Sequence, residues 1–308
     1  MALNYYNNTR GQARFQQLLS QKDKQTLEKW KKEQNDLKAN LIKRDVHNWK
    51  INLKVGEEGE KLRYIGGVDI SFDKYNKNIG ISGLVVCDAQ NDFEIVYDDY
   101  KFVKIKEPYI PSFLAFREVK PYVELINKLK EKKPNYVPQV ILVDGNGILH
   151  TRGFGIASHL GVLVDIPTIG CAKTVFALKD EGITDYYVKD MYYKKLKKFG
   201  DYFPLRGFSD VTWGYALRST KYYDDPMIIS IGHKVSNQTA LKVAKMCCYY
   251  KEPEPIRLAD LITRRLIKAY QDFKYYNPHK NWILKKYYYK YYNYIYINLY
   301  PLNGLYKK

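Results

Sequence analysis

The sequence predicts an α/β protein built on one sheet of mixed strand directions. Short runs of alternating or β-branched residues cluster early, over 64–73, 79–87 and 93–105, and read as a meander. From residue 113 onward, segments of helical periodicity alternate with short apolar runs. Between them, Val140-Ile-Leu-Val143 is apolar at every position, which suits a central parallel strand covered on both faces.

Residues 22–45 place Leu27, Trp30, Leu37 and Leu41 on one stripe among Lys and Glu, so they read as an amphipathic packing helix. Pro108-Tyr-Ile-Pro111 is a stiff loop, because each proline fixes its own φ and pushes the preceding residue towards extended backbone. Helical periodicity follows over 113–130, then a helix over 154–164 and a strand over 167–172. Residues 178–204 mix charge and tyrosine and read as an irregular insertion. Residues 214–219 and 227–231 read as strands, and Ser236 is a natural N-cap for a helix over 237–248. Pro253-Glu-Pro255 breaks the chain before a last amphipathic helix over 256–268. The final thirty-nine residues hold twelve tyrosines, seven lysines and a single acid. They are either a base-stacking, phosphate-binding tail or merely biased sequence.

A chain of 308 residues is long enough to bury a full core. Its net charge of +18 favours a polyanionic partner, although Lys, Tyr and Asn are also the residues of A/T-rich codons. Without the tail the remainder is still basic. The four cysteines show no Cys-x-x-Cys spacing, which argues against a zinc site. The polar N-terminus lacks the apolar core of a secretory leader, and no run is long enough to span a membrane. A reducing compartment, cytoplasmic or nuclear, is expected.

Three acids stand where a metal-dependent nuclease would need them. Asp69 ends the run Tyr64-Ile-Gly-Gly-Val, Glu118 opens the helical segment after Phe116-Arg117, and Asp144 ends Val140–Val143 and leads into Gly145-Asn-Gly147. A carboxylate at the end of a buried strand is costly unless it is paired or holds a metal. Magnesium takes oxygen ligands and keeps waters, so Asp and Glu are its expected protein ligands. Singly, each acid reads as easily as a turn former or helix cap. His150 lies six residues after Asp144, close enough to share its loop. Lys173 follows Gly170-Cys-Ala at a strand end and is either a surface lysine or a group that neutralises phosphate charge.

The blocks Gly67-Val-Asp-Ile-Ser-Phe72, Pro108–Glu118, Asp144-Gly-Asn-Gly-Ile-Leu-His150 and Arg152-Gly-Phe-Gly-Ile-Ala-Ser-His-Leu-Gly161 together resemble the endonuclease V family. Pro167–Lys173, Ser230–Ser236 and Glu254–Asp260 continue the resemblance in the same order, from about Leu27 to Arg265. The Asp-Gly-Asn-Gly and Gly-Phe-Gly forms are similar to its eukaryotic branch. The resemblance implies a ribonuclease H-like fold, a mixed central sheet with helices on both faces. It also implies magnesium-dependent cleavage, with manganese as a substitute, at the second phosphodiester bond 3′ to inosine. The expected substrate is single-stranded RNA, deaminated DNA, or both, with no membrane and no protein partner. The expected organisation is an N-terminal extension over 1–21, a catalytic domain over 22–269 and the Tyr/Lys-rich tail over 270–308.

Carried over position by position, Asp69, Glu118 and Asp144 are the metal carboxylates, and His150, Lys173, His233 and Asp260 are catalytic candidates near the same centre. Tyr109 matches the family's wedge. An enzyme that reads one base must take it out of the stack, and a tyrosine pinned between two prolines is stiff enough to fill the gap. Ser112, Leu114, Gly155, Ile156 and Gly170 are expected to line the base pocket. A backbone donor aimed at the O6 carbonyl of hypoxanthine would reject the amine of adenine. Here Pro111-Ser112 stands where eukaryotic members often carry Ser-Gly. Two other readings stay open: a non-catalytic inosine-RNA reader, which needs no carboxylates, and another ribonuclease H-like nuclease such as a junction resolvase, which needs no wedge.

Overall fold

The computed structural model describes residues 20–276 apart from 56, 223 and 224. Of the expected extension and tail, residues 1–19 and 277–308 therefore lie outside the described residues. Six α-helices and ten strands are present among those described: α1 Gln21–Lys38, β1 Trp49–Lys50, β2 Glu60–Lys61, β3 Tyr64–Phe72, β4 Ile79–Asp88, β5 Glu94–Lys104, α2 Ala115–Lys132, β6 Val140–Asp144, α3 Ile156–Val164, β7 Thr168–Ala172, α4 Asp185–Lys195, β8 Tyr202–Arg206, β9 Thr212–Leu217, β10 Met227–His233, α5 Asn237–Met246 and α6 Glu254–Gln271.

Eight strands form one sheet in the order β5-β4-β3-β6-β7-β10-β9-β8. The meander β3-β4-β5 is antiparallel, β3-β6-β7 are parallel, and β10, β9 and β8 return antiparallel. The fold is the expected ribonuclease H-like class.

The apolar run of β6 is explained by cover on both faces. Val140 and Leu142 join a core with Ile65, Cys171, Ile229, Leu241 and Ile256, and so pack under α5 and α6. Ile141 and Val143 join the opposite core with Val119, Ile126, Ala157 and Leu160, under α2 and α3. All four are fully buried, each contributing about 1.5–3 kcal/mol of apolar transfer.

Two elements differ from expectation. α1 stops at Lys38 rather than 45, because the following segment finds tertiary partners: Lys234 N–H donates to the Ile42 carbonyl at 2.8 Å, and Val46 N–H donates to Lys234 at 3.1 Å. Asp45 then accepts from Ser236 N–H at 2.7 Å. The 178–204 insertion is not irregular. It holds α4, capped by Thr184 accepting from Tyr187 N–H, and the edge strand β8, whose Phe203 and Leu205 face inward. No described helix is long and apolar enough to cross a membrane.

Candidate active site

Parallel pairing sets two of the acids side by side. Val68 of β3 faces Val143 of β6, and Asp69 and Asp144 each lie one residue further on. Glu118 sits in the first turn of α2, where the helix dipole favours a negative charge. All three line one cleft of about 840 Å³.

Their proximity appears in their protonation. Burial, then the charges of Asp144 and Asp260, push the Asp69 carboxyl up to about 7, against the Thr263 hydroxyl and Lys173, which hold it down. Thr263 Oγ1 donates to Asp69 Oδ2 at 3.1 Å. Burial, then Asp69 and Asp144, push Glu118 up to about 8. Two carboxyls raised by burial and by the acid charges around them are a site that a cation would relieve. An all-oxygen donor set suits a hard divalent ion such as magnesium rather than the N/S set of structural zinc. Among the described residues, no three His, Cys, Asp or Glu side chains stand at ready ligating geometry. Asp144 pairs with the ammonium of Lys173, Nζ to Oδ2 at 2.9 Å. Burial works to lower the Lys173 pKa, but Asp144 and Glu252 raise it on balance.

The rim of the cleft carries the Pro108–Pro111 loop. Tyr109 is half exposed, with the Arg117 guanidinium 5.5 Å from its ring centroid. Ser112 adopts a left-handed backbone, φ +66°, which a serine holds only when its surroundings fix it. Two groups do so. His150 Nε2 donates to the Ser112 carbonyl at 3.0 Å, and Arg152 donates to both the carbonyl and the hydroxyl of Ser112. Burial, then the Arg152 charge, lower the His150 pKa to about 3, so the ring is neutral, and its Nδ1 accepts from Arg152 N–H. Both His150 nitrogens are thus engaged within the protein: it pins the loop that carries Tyr109.

Leu114, Gly155 and Ile156 line the same cleft as Ser112. Two expected residues, Gly170 and His233, are placed otherwise. Gly170 lies beneath the loop rather than in the cleft lining, since a Cβ there would come within 2.5 Å of Gly147 N. His233 is not brought to the acids. β10 runs antiparallel to β7, so His233 pairs with Thr168 at the end of β7 remote from Lys173. There it accepts from Ile42 N–H at 3.3 Å and faces Asp165. Asp260 stays beside the acids: its charge raises the Asp69 pKa, and Thr263, which donates to Asp69, also meets the Asp260 carbonyl at 3.1 Å, while the Asp260 carboxylate lies outside the cleft lining and is paired with Arg264 Nε at 2.6 Å.

Gly147 is required where the loop after Asp144 crosses β10, because a Cβ would sit 1.8 Å from the Ile231 carbonyl oxygen. Gly147→Ala is expected to destabilise the fold by about 3 kcal/mol. Urea denaturation would read this as a lower midpoint at unchanged m; a wild-type midpoint would mean that the loop crosses elsewhere.

Some residues of the site give little sign of themselves in the sequence. Gln34 interrupts the apolar stripe of α1, is 2 % exposed, donates to the Phe154 carbonyl at 2.7 Å and accepts from Arg152. A polar residue on an apolar stripe is the available signal. Trp30 of α1 stacks on Phe116 at 4.8 Å, buttressing the start of α2. Glu252, which meets Lys173 Nζ at 3.1 Å, is brought there by tertiary structure alone and leaves no signal.

The sequence model described as Endonuclease V matches residues 47–261. The chain is 42% identical over 244 residues to mouse endonuclease V, covering 79% of this chain and 70% of that protein. To human endonuclease V it is 41% identical over 244 residues, covering 79% and 84%. The crystal structure of the human protein superposes with a TM-score of 0.72 at 40% identity, covering 79% of this chain and 98% of that one. A Ciona intestinalis endonuclease V, solved in complex with a 23mer DNA containing an inosine followed by a ribo-adenosine, gives a TM-score of 0.72 at 32% identity, covering 82% and 99%.

Proposed function

The chain belongs to the endonuclease V family, and from that premise we propose that it is a magnesium-dependent endonuclease that cuts single-stranded RNA at the second phosphodiester bond 3′ to inosine. The observation that carries this reading is the meeting of Asp69, Glu118 and Asp144 in the cleft that also holds Lys173 and Tyr109. A reader of inosine needs the rim but not three mutually repelling carboxylates. A junction resolvase needs the acids but not the Tyr109 rim. The ligand of the Ciona intestinalis relative is a DNA that contains an inosine, which supports an inosine-bearing nucleic acid as the class of substrate. The four cysteines are buried and free of disulfides, which suits a reducing compartment, the cytoplasm or nucleus.

Asp69, Glu118 and Asp144 would hold magnesium, or manganese in its place; when bound, it supplies charge neutralisation at the phosphate and water of lowered pKa. The protein's own groups do the rest. Lys173 presents positive charge to a non-bridging phosphate oxygen. Tyr109 fills the gap left by the displaced inosine. The base enters the pocket of Ser112, Leu114, Gly155 and Ile156, where backbone groups meet its edge. The pinned Ser112 fixes the distance between wedge and pocket.

Matched RNA and DNA oligonucleotides, with and without one inosine, test the reading in magnesium or in EDTA. A single cut in the inosine RNA, one bond beyond the bond next to the inosine on its 3′ side and absent in EDTA, is expected. Equal cutting of the adenosine control, or binding without cleavage, would contradict it. Tyr109→Ala is expected to weaken binding of the inosine RNA by roughly 1–3 kcal/mol, the worth of one base stacked on an aromatic ring. Its single-turnover rate at saturating protein should fall less. Unchanged affinity would show that Tyr109 stays on the surface.

A further inference from the structure

An ammonium group carries three N–H donors. For Lys173, one meets Asp144 Oδ2 at 2.9 Å and another meets Glu252 Oε1 at 3.1 Å. Glu252 stands in the turn over 247–253, between α5 and α6. Backbone bonds anchor that turn on either side of it: Glu254 N–H donates to the Cys247 carbonyl at 2.8 Å, and the Lys251 carbonyl accepts from Ser219 Oγ at 2.6 Å. Glu252 Oε2, by contrast, is buried with no hydrogen-bond partner among the described residues. A buried carboxylate oxygen left unpaired costs free energy, so stability alone does not explain this residue.

The ion pair on the other side of Lys173 is not permanent under the nuclease reading. A cation joined by Asp144 competes with the ammonium for the same oxygen and repels it. The Lys173 side chain is 35 % exposed, and a flexible four-carbon stem released by Asp144 would turn to solvent. Glu252 is the acceptor that remains.

We propose that Glu252 is a positioning residue for Lys173, holding the ammonium at the edge of the cleft once Asp144 is engaged by a cation and leaving its third N–H turned towards the scissile phosphate. This rests on the nuclease reading above. It adds a residue outside both the acid set and the lining of the cleft.

The test uses the full chain as wild type, Glu252→Gln, Glu252→Asp, Lys173→Gln and the Gln/Gln double variant. Two readouts are taken: single-turnover cleavage of the inosine RNA against magnesium concentration, and Mn²⁺ affinity of the protein alone by calorimetry. Glu252→Gln is expected to bind RNA as wild type while its rate at saturating magnesium falls roughly tenfold, the consequence of a misplaced group. Its Mn²⁺ affinity should weaken severalfold, because Lys173 then rests wholly on Asp144. Glu252→Asp should restore part of both. In the Lys173→Gln background, Glu252→Gln should add no further loss of rate.

Wild-type rate and Mn²⁺ affinity in Glu252→Gln would overturn the proposal. So would a full tenfold loss persisting without Lys173, since Glu252 would then act on its own. A wild-type protein that fails to cut the inosine RNA sinks the nuclease reading instead. The Mn²⁺ affinities would still report whether Glu252 restrains Lys173.

Discussion

Asp144→Asn is expected to abolish inosine-directed cleavage, lowering the single-turnover rate on the order of 10³-fold or more, while leaving RNA affinity within a few fold of wild type. The substitution keeps the shape of the side chain and removes its charge. Three consequences meet at this residue. The cation loses a carboxylate from the end of β6. Lys173 loses the ion pair it makes at 2.9 Å, and its charge is left to Glu252. The Asp144 charge that raises both Asp69 and Glu118 disappears, so those two ionise more readily but face an incomplete site. The Tyr109 rim and the Ser112 pinning network contain no bond to Asp144, and binding should persist there. Wild-type cleavage by Asp144→Asn, measured by gel under single-turnover conditions, would show that the metal assignment is wrong.

Without divalent cations, the protein is expected to lose stability as pH rises through 7 to 8, and magnesium should reverse the loss. Asp69 and Glu118 have folded pKa values of about 7 and about 8, both above their ordinary values of 3.8 and 4.5. Groups raised on folding stabilise the folded state fully below the unfolded pKa, and that contribution is lost as pH climbs through the folded pKa. Raising a pKa by one corresponds to about 1.36 kcal/mol, so the two acids together account for several kcal/mol before water penetration softens the effect.

The buried histidines work in the opposite sense. His150 and His159 are lowered to about 3 and about 4 by burial, so their contribution is present above 6.5 and lost as pH falls below it. Acids and histidines therefore offset each other at mildly acidic pH, and only the acids titrate between about pH 6.5 and 8.5. In EDTA, Tm should fall across that window. Asp69→Asn should flatten the fall, and added magnesium should raise Tm most at the alkaline end. A Tm in EDTA that is flat or rises from 6.5 to 8.5 would mean that the carboxylates ionise independently and do not share a site.

Much of this site is legible without the fold, for reasons that differ by element. The β6 run is readable because both of its faces are buried, so every position is apolar and the acid that ends it stands out. Asp69 and Asp144 become neighbours through parallel pairing of β3 and β6, which follows from a mixed sheet. By contrast, α4 buries only Val188 and Tyr192, a stripe two residues wide that tyrosine and lysine on the other faces obscure. β8 alternates as a strand should, but Pro204 hides it; proline is tolerated there because β8 is the edge of the sheet.

The misplacement of His233 has another origin. Its block is legible as a strand end, but the direction of that strand is not. An antiparallel β10 carries its C-terminal histidine away from the end of the sheet where β6 and β7 deliver Asp144 and Lys173. Glu252 and the Gln34–Arg152–Ser112 network are out of reach for a simpler reason. Each depends on chain segments far apart in sequence, 79 residues for Glu252 and Lys173 and 118 for Arg152 and Gln34, whose meeting no local pattern encodes.

A crystal of the full chain grown with Mn²⁺ puts the central claim, a cation cradled by acids from β3, α2 and β6, to its most direct test. An anomalous difference peak within bonding reach of carboxylate oxygens from Asp69, Glu118 and Asp144, with Lys173 withdrawn from Asp144 towards Glu252, is the predicted result. No peak in the cleft, or one touched by a single member of the three acids while Lys173 keeps its bond to Asp144, would contradict it.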